Sequence, residues 1–171
     1  MPFIIPLSIL EEGIQQSLKN ATRYLEDSVL LFQNERYQSS ILLSMISYEE
    51  SGKTIVLIDY KENKIEVTKT QWKKKVCMHT KKNLTALRAI WEEVGFLPII
   101  PDQDKHMSRF QQEWKNIFTY VDYDFDNLKW TSPVSPKTFE INSLRSFCTS
   151  AMDQASKALQ AANKKTEESL K

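Results

Sequence analysis

Ionisable side chains interrupt helical apolar patterns in two places in this chain, Ser47-Tyr48-Glu49-Glu50-Ser51-Gly52-Lys53 and His79-Thr80-Lys81-Lys82-Asn83. The first lies between Ile41-Leu42-Leu43-Ser44-Met45-Ile46 and Ile55-Val56-Leu57-Ile58. Wound at about 100° per residue, this run sets Ile41, Met45, Tyr48, Gly52 and Ile55 on one apolar stripe and Leu42, Ile46 and Leu57 on a second. Glu49 and Lys53, four residues apart, share the sector between the stripes. The one plainly polar sector holds Ser40, Ser47, Ser51 and Thr54. A helix apolar around most of its circumference is a central, buried helix. A carboxylate in its buried sector has to be ion-paired, protonated or engaged in chemistry. The structural alternative is a Glu49–Lys53 ion pair.

In the second place, Trp72, Val76, Leu87, Ile90 and Val94 trace an apolar stripe whose two missing central positions are His79 and Asn83. Phasing directs both toward the core. A lone core histidine is ordinarily hydrogen-bonded and structural, but a histidine and an asparagine facing the same interior as Glu49 and Lys53 describe a polar site. Lys82, three residues after His79, adjoins it. Lys74, Lys81 and Arg88 recur every seven residues on the outer face, a solvated row with phosphate contact as its alternative.

The elements that must position these residues read as helices. Ser8 followed by Glu11 has the spacing of a capping box. The first helix then carries Ile14, Leu18, Ala21, Leu25, Val29 and Phe32 as its seam and runs to about Phe32. Residues 33–36 are a short turn, which makes the next helix an antiparallel neighbour. That second helix covers about 37–58, and residues 59–64 lose periodicity as a charged connection. The third helix spans about 70–94 and is closed by Gly95, with Pro98 and Pro101 as a rigid link. Residues 102–117 form a short helix with Phe110, Trp114 and Ile117 inward and His106 on its surface. Residues 120–127, aromatic and acidic, form an irregular loop that packs its tyrosines on the bundle. Pro133 and Pro136 end it, and the three aspartates lack the glycine and terminal glutamate of an EF-hand. The last helix, about 142–168, carries Leu144, Cys148, Ala151, Ala155, Ala158 and Ala162 in register for close packing.

Length and composition bound the class. The 171 residues read as one domain with a short lead (1–7) and a frayed tail from about 165. Only three glycines occur and β-type alternation is scarce, so the class is all-α, a bundle of four to five antiparallel helices. A net charge of +1 gives no global field toward nucleic acid, so RNA binding needs a local patch. Two scattered cysteines make neither a disulfide framework nor a zinc site, and reduced thiols in a cytoplasmic protein are expected. No run has the length of a membrane span, and the start has no basic region of a signal peptide. Neither metal nor other cofactor is expected. Ser51-Gly52-Lys53-Thr54 is not a P-loop, lacking its first glycine and lying inside a helix-period run.

Tyr48-Glu49-Glu50-Ser51-Gly52-Lys53, then His79-Thr80-Lys81-Lys82, then Tyr120-Val121-Asp122 and Pro133, resemble the abortive infection AbiV family of bacterial phage-defence proteins. The resemblance spans roughly residues 18–162, and Glu-Glu-x-Gly-Lys on an apolar helix is its most specific part. That family is similar to the HEPN class of helical domains, many of which are metal-independent endoribonucleases acting as dimers. The resemblance therefore implies a HEPN-like bundle, a homodimer, and a defence effector that binds a phage or host component. The alternative it implies is an endoribonuclease acting on RNA. The ribonuclease pattern is an arginine followed four to six residues later by a histidine, and here the arginine is absent. Lys73 and Lys74 stand at suitable distances, but a lysine is a point charge without the bidentate fork, and by phasing both point away from the histidine's stripe. The candidate catalytic residues are His79, Glu49 to orient it, and Lys53. Lys82, Asn83, Glu50, Tyr120 and Asp122 are the candidates for contacting substrate. Binding without catalysis would instead use an exposed aromatic patch, for which Tyr120, Tyr123, Phe125 and Trp130 are candidates.

Overall fold

The first two helices are long and of equal length, α1 (Leu7–Gln33) and α2 (Tyr37–Asn63). Residues 34–36 fold one back on the other, with Glu35 in the left-handed region at φ 59° and the Arg36 N–H donating to the Leu31 carbonyl at 2.8 Å. The computed structural model describes residues 3–93, 95, 122–124, 129–131 and 141–170. After α2 come a one-turn helix α3 (Lys69–Trp72), a π-helical turn (Lys73–Cys77) and α4 (His79–Glu93). Two three-residue strands, β1 (Asp122–Asp124) and β2 (Lys129–Thr131), pair antiparallel, and α5 (Ile141–Glu168) completes the chain. The fold is all-α, and α2 is its centre, packed against α1, α4 and α5. No helix among the described residues is long and apolar enough to cross a membrane.

Local chemistry explains the boundaries, some of them against expectation. The Ser8–Glu11 capping box does not form: α1 starts earlier, at Leu7 behind Pro6, with no side-chain cap. The box forms at Thr68 and Gln71, where each side chain bonds the other's backbone N–H at the start of α3. Helix α2 runs through the supposed charged connection to Asn63 and stops at Lys64, whose left-handed backbone (φ 46°) supplies the C-cap. Lead residue Phe3 bridges Val67 through two backbone hydrogen bonds, which closes one end of a core built on Leu10, Ile14, Val56, Ile58 and Val76. The strands replace part of the expected irregular loop, and they set Tyr123 opposite Trp130. The proposed helix over 102–117, with His106, and the loop residues Tyr120 and Phe125 lie outside the described residues.

The serine sector of α2 does not meet water. Ser40, Ser44, Ser47, Ser51 and Thr54 are all fully buried. Ser47 donates to the Ala21 carbonyl and Ser40 to the Ser28 carbonyl, both at 2.7 Å, so hydroxyls stitch α2 to the backbone of α1. The Cys148 thiol of α5 donates to Ser40 at 3.0 Å, and burial pushes that thiol above its ordinary range. On α5, Leu144, Cys148, Ala155, Ala158 and Ala162 are buried as the small-residue register predicts. The serines act as spacers that permit close approach. Replacing Ser47 by leucine is therefore expected to force α1 from α2 and cost about 1–3 kcal/mol, read as a lower urea midpoint at unchanged slope. A midpoint within error of the parent would mean that this face is open after all.

Candidate functional site

The site forms where α4 crosses α2. At Gly52 the two backbones nearly touch: a Cβ there would fall 2.0 Å from the Lys82 carbonyl oxygen and 3.2 Å from Ala86 Cβ. One turn earlier on α2, the Glu49 side chain is 4% exposed, enclosed by the elements packed around the central helix. Its Oε2 lies 2.6 Å from His79 Nδ1 and 3.8 Å from Lys82 Nζ, both groups carried by the first turn of α4. A carboxylate offers only acceptors, so the short contact calls for a proton on Nδ1, and in the neutral ring Nε2 is then the acceptor. The His79 side chain is 50% exposed, whereas that of Lys82 is 9% exposed. The arrangement is an imidazole open to solvent, oriented by a buried carboxylate, with a buried ammonium beside it. Such a group can exchange a proton with a bound hydroxyl or leaving oxygen.

The break at Met78 explains why His79 is reachable. One continuous third helix would direct His79 inward with Asn83. Instead the π turn widens the coil, Met78 takes an extended backbone (φ −76°, ψ 124°), and His79 opens a new helix as its first residue. Asn83 is buried as expected, at 3% exposure, and its Oδ1 finds no hydrogen-bond partner among the described residues. The structural Glu49–Lys53 pair is not what forms. Lys53 pairs with Glu50 at 3.4 Å, while Glu49 reaches across to α4. Glu49, His79 and Lys82 are thus brought together, with Asn83 one turn further along α4; Glu50 and Lys53 form their own partly exposed pair. Asp122 opens β1 opposite Thr131, and Tyr120 lies outside the described residues.

Two features of the site were not read from the sequence. The role of Gly52 had a signal, a glycine inside a strongly apolar helical run, which marks close backbone approach. The break at Met78 had none, since neither glycine nor proline stands near it. Among the described residues, no group of three His, Cys, Asp or Glu side chains is arranged to hold a metal ion.

Residues 9–143 match the protein-family model HEPN_AbiV, described as AbiV, a span that contains Glu49, Gly52, His79 and Lys82. No curated protein and no solved structure matches the chain.

Proposed function

The chain belongs to the AbiV family of HEPN domains, a family of abortive-infection phage-defence proteins, and on that premise we propose that it defends by cleaving RNA at the Glu49–His79–Lys82 cluster. The observation that carries this reading is the pairing of a half-exposed imidazole with a buried carboxylate at 2.6 Å. A closed structural network would bury all three groups, whereas here the imidazole is half exposed. In the proposed reaction, His79 Nε2 takes the proton of a ribose 2′-hydroxyl as that oxygen attacks the adjacent phosphorus. The imidazolium then returns the proton to the departing 5′-oxygen. Glu49 holds the ring in the required tautomer and stabilises its charged form. Lys82 and the positive end of the α4 dipole stand where negative charge builds on the phosphate, in place of the absent arginine. Two copies of the chain are expected to pair, as domains of this class commonly do.

A different observation favours the reading in which the protein acts by binding a phage or host protein. Phe3, Ile4, Leu7 and Ile9 are exposed at the start of the chain, and Ile4 and Leu7 line an apolar cavity of about 190 Å³ with Leu10 and Tyr60. Exposed apolar residues gathered in this way mark interaction surfaces.

One experiment separates the two. Bacteria carrying the parent chain or a His79→Ala variant are challenged with phage, and survival and total RNA integrity are followed together. Cleavage predicts that the parent protects while RNA fragments, and that the variant does neither; loss of the general base lowers the rate about 10²–10⁴-fold. If the parent protects with RNA intact, or the variant protects equally well, cleavage through His79 is excluded. Leu7→Glu then becomes the informative variant.

A further inference from the structure

Charge is divided unevenly along this chain. Residues 69–88 hold seven of the 23 Lys and Arg residues and none of the 22 Asp and Glu, so a protein of net charge +1 consists of a +7 stretch and a −6 remainder. The stretch comprises α3, the π turn and the start of α4, the elements that meet at His79. Lys69, Lys73, Lys74 and Lys81 are exposed, as is Arg88. Elsewhere lysines find carboxylates: Lys61 pairs with Glu11, Lys157 with Asp153, Lys164 with Glu93 and Lys165 with Glu92. Among the described residues no carboxylate lies within ion-pair distance of Lys69, Lys73, Lys74 or Lys81. Their mutual repulsion is therefore relieved only by water and counterions, and a polyanion that released those counterions would bind there.

We propose that this basic stretch is a seat for the phosphate backbone of single-stranded RNA, gripped by Lys73, Lys74 and Lys81 without reading bases, with the strand led past His79. The identity of the polyanion rests on the ribonuclease reading above. An acidic protein segment is disfavoured because the cations flank His79 in sequence, and its accessible imidazole, held on a buried carboxylate, is a group with a use for phosphate esters. Lysines, being point charges, suit contact with a flexible backbone.

The test is fluorescence anisotropy of a labelled 20-nucleotide oligouridylate with the His79→Ala chain across a salt series. Tight binding at low salt is expected, with affinity falling linearly on a log–log plot. Replacing Lys73, Lys74 and Lys81 together by glutamine should weaken binding at least tenfold and flatten the slope by about 2, at about 0.7 per lost phosphate contact. Replacing the same three by arginine should retain binding, and Lys19→Gln with Lys157→Gln should leave it unchanged. The inference is overturned if the oligonucleotide does not bind, if the control substitutions weaken it equally, or if polyglutamate competes as well as RNA. The two proposals fail separately. RNA held by these lysines but left whole by the chain with His79 intact sinks cleavage alone, while undiminished cleavage by the triple glutamine variant sinks this seat alone.

Discussion

Replacing Gly52 by alanine is expected to destabilise the protein by about 3 kcal/mol or more, at the upper end of what overpacking costs, and to abolish defence. The sign is the informative part. In an ordinary helix interior the same change gains about 1 kcal/mol, because alanine loses less backbone freedom on folding. Here the added methyl would stand 2.0 Å from the Lys82 carbonyl oxygen and 2.8 Å from its carbon. Both are main-chain atoms of α4, so no rotamer change can clear them, and α4 itself has to withdraw. His79 and Lys82 ride on that helix, so its withdrawal pulls them from Glu49, which stays on α2. For a chain of this size the midpoint of thermal unfolding should fall by roughly 10 °C. A Gly52→Ala protein as stable as the parent, or more so, would show that α2 and α4 are not in backbone contact. Survival under phage challenge should fall with the Gly52→Ala variant even at temperatures where circular dichroism shows it folded, since a withdrawn α4 disconnects the imidazole from its carboxylate.

The central helix was legible because its apolar residues encircle it, and α5 because its alanines keep helical register through Ala162. The existence of a polar site was legible for the same reason: a carboxylate inside an apolar run is expensive unless partnered. The expectation that Glu49 orients His79 matches the contact found, but the residue pattern alone left two partners open. An intrahelical lysine at the favourable spacing offered Glu49 a local solution, and nothing in one sequence shows that a helix 30 residues away reaches it first. Periodicity also failed at His79, since a phase argument holds only while the helix continues. The chain breaks at Met78 without glycine or proline, so His79, the first residue of the new helix, is half exposed, while Asn83 and Leu87 beyond it stay buried on the expected stripe. The buried serines of α2 misled in another way. Serine reads as polar on any scale, yet its small volume and its bond to a neighbouring helix's carbonyl suit it to a tight seam.

Glu49→Gln separates the functional from the structural meaning of the cluster. The amide keeps the shape of the side chain and can still accept from His79 Nδ1, but it removes the charge that neutralises Lys82. Lys82 is buried, so its ammonium is left without that counter-charge, at a cost on the order of 3 kcal/mol. Loss of His79 is different: its side chain is half exposed, and His79→Ala should lower stability by less than about 1 kcal/mol. Adding Lys82→Met to Glu49→Gln removes the stranded cation along with the charge, and the double variant should regain most of the lost stability. Stability and function then part company. If the cluster only fixes the packing of α2 on α4, the restabilised double variant defends as well as the parent. If Glu49 orients a working imidazole and Lys82 meets the phosphate, the double variant is stable and still fails to protect, as His79→Ala does at almost full stability. Urea midpoints and phage survival measured on the same four proteins decide between these outcomes, because packing alone cannot produce a stable protein that has lost its defence.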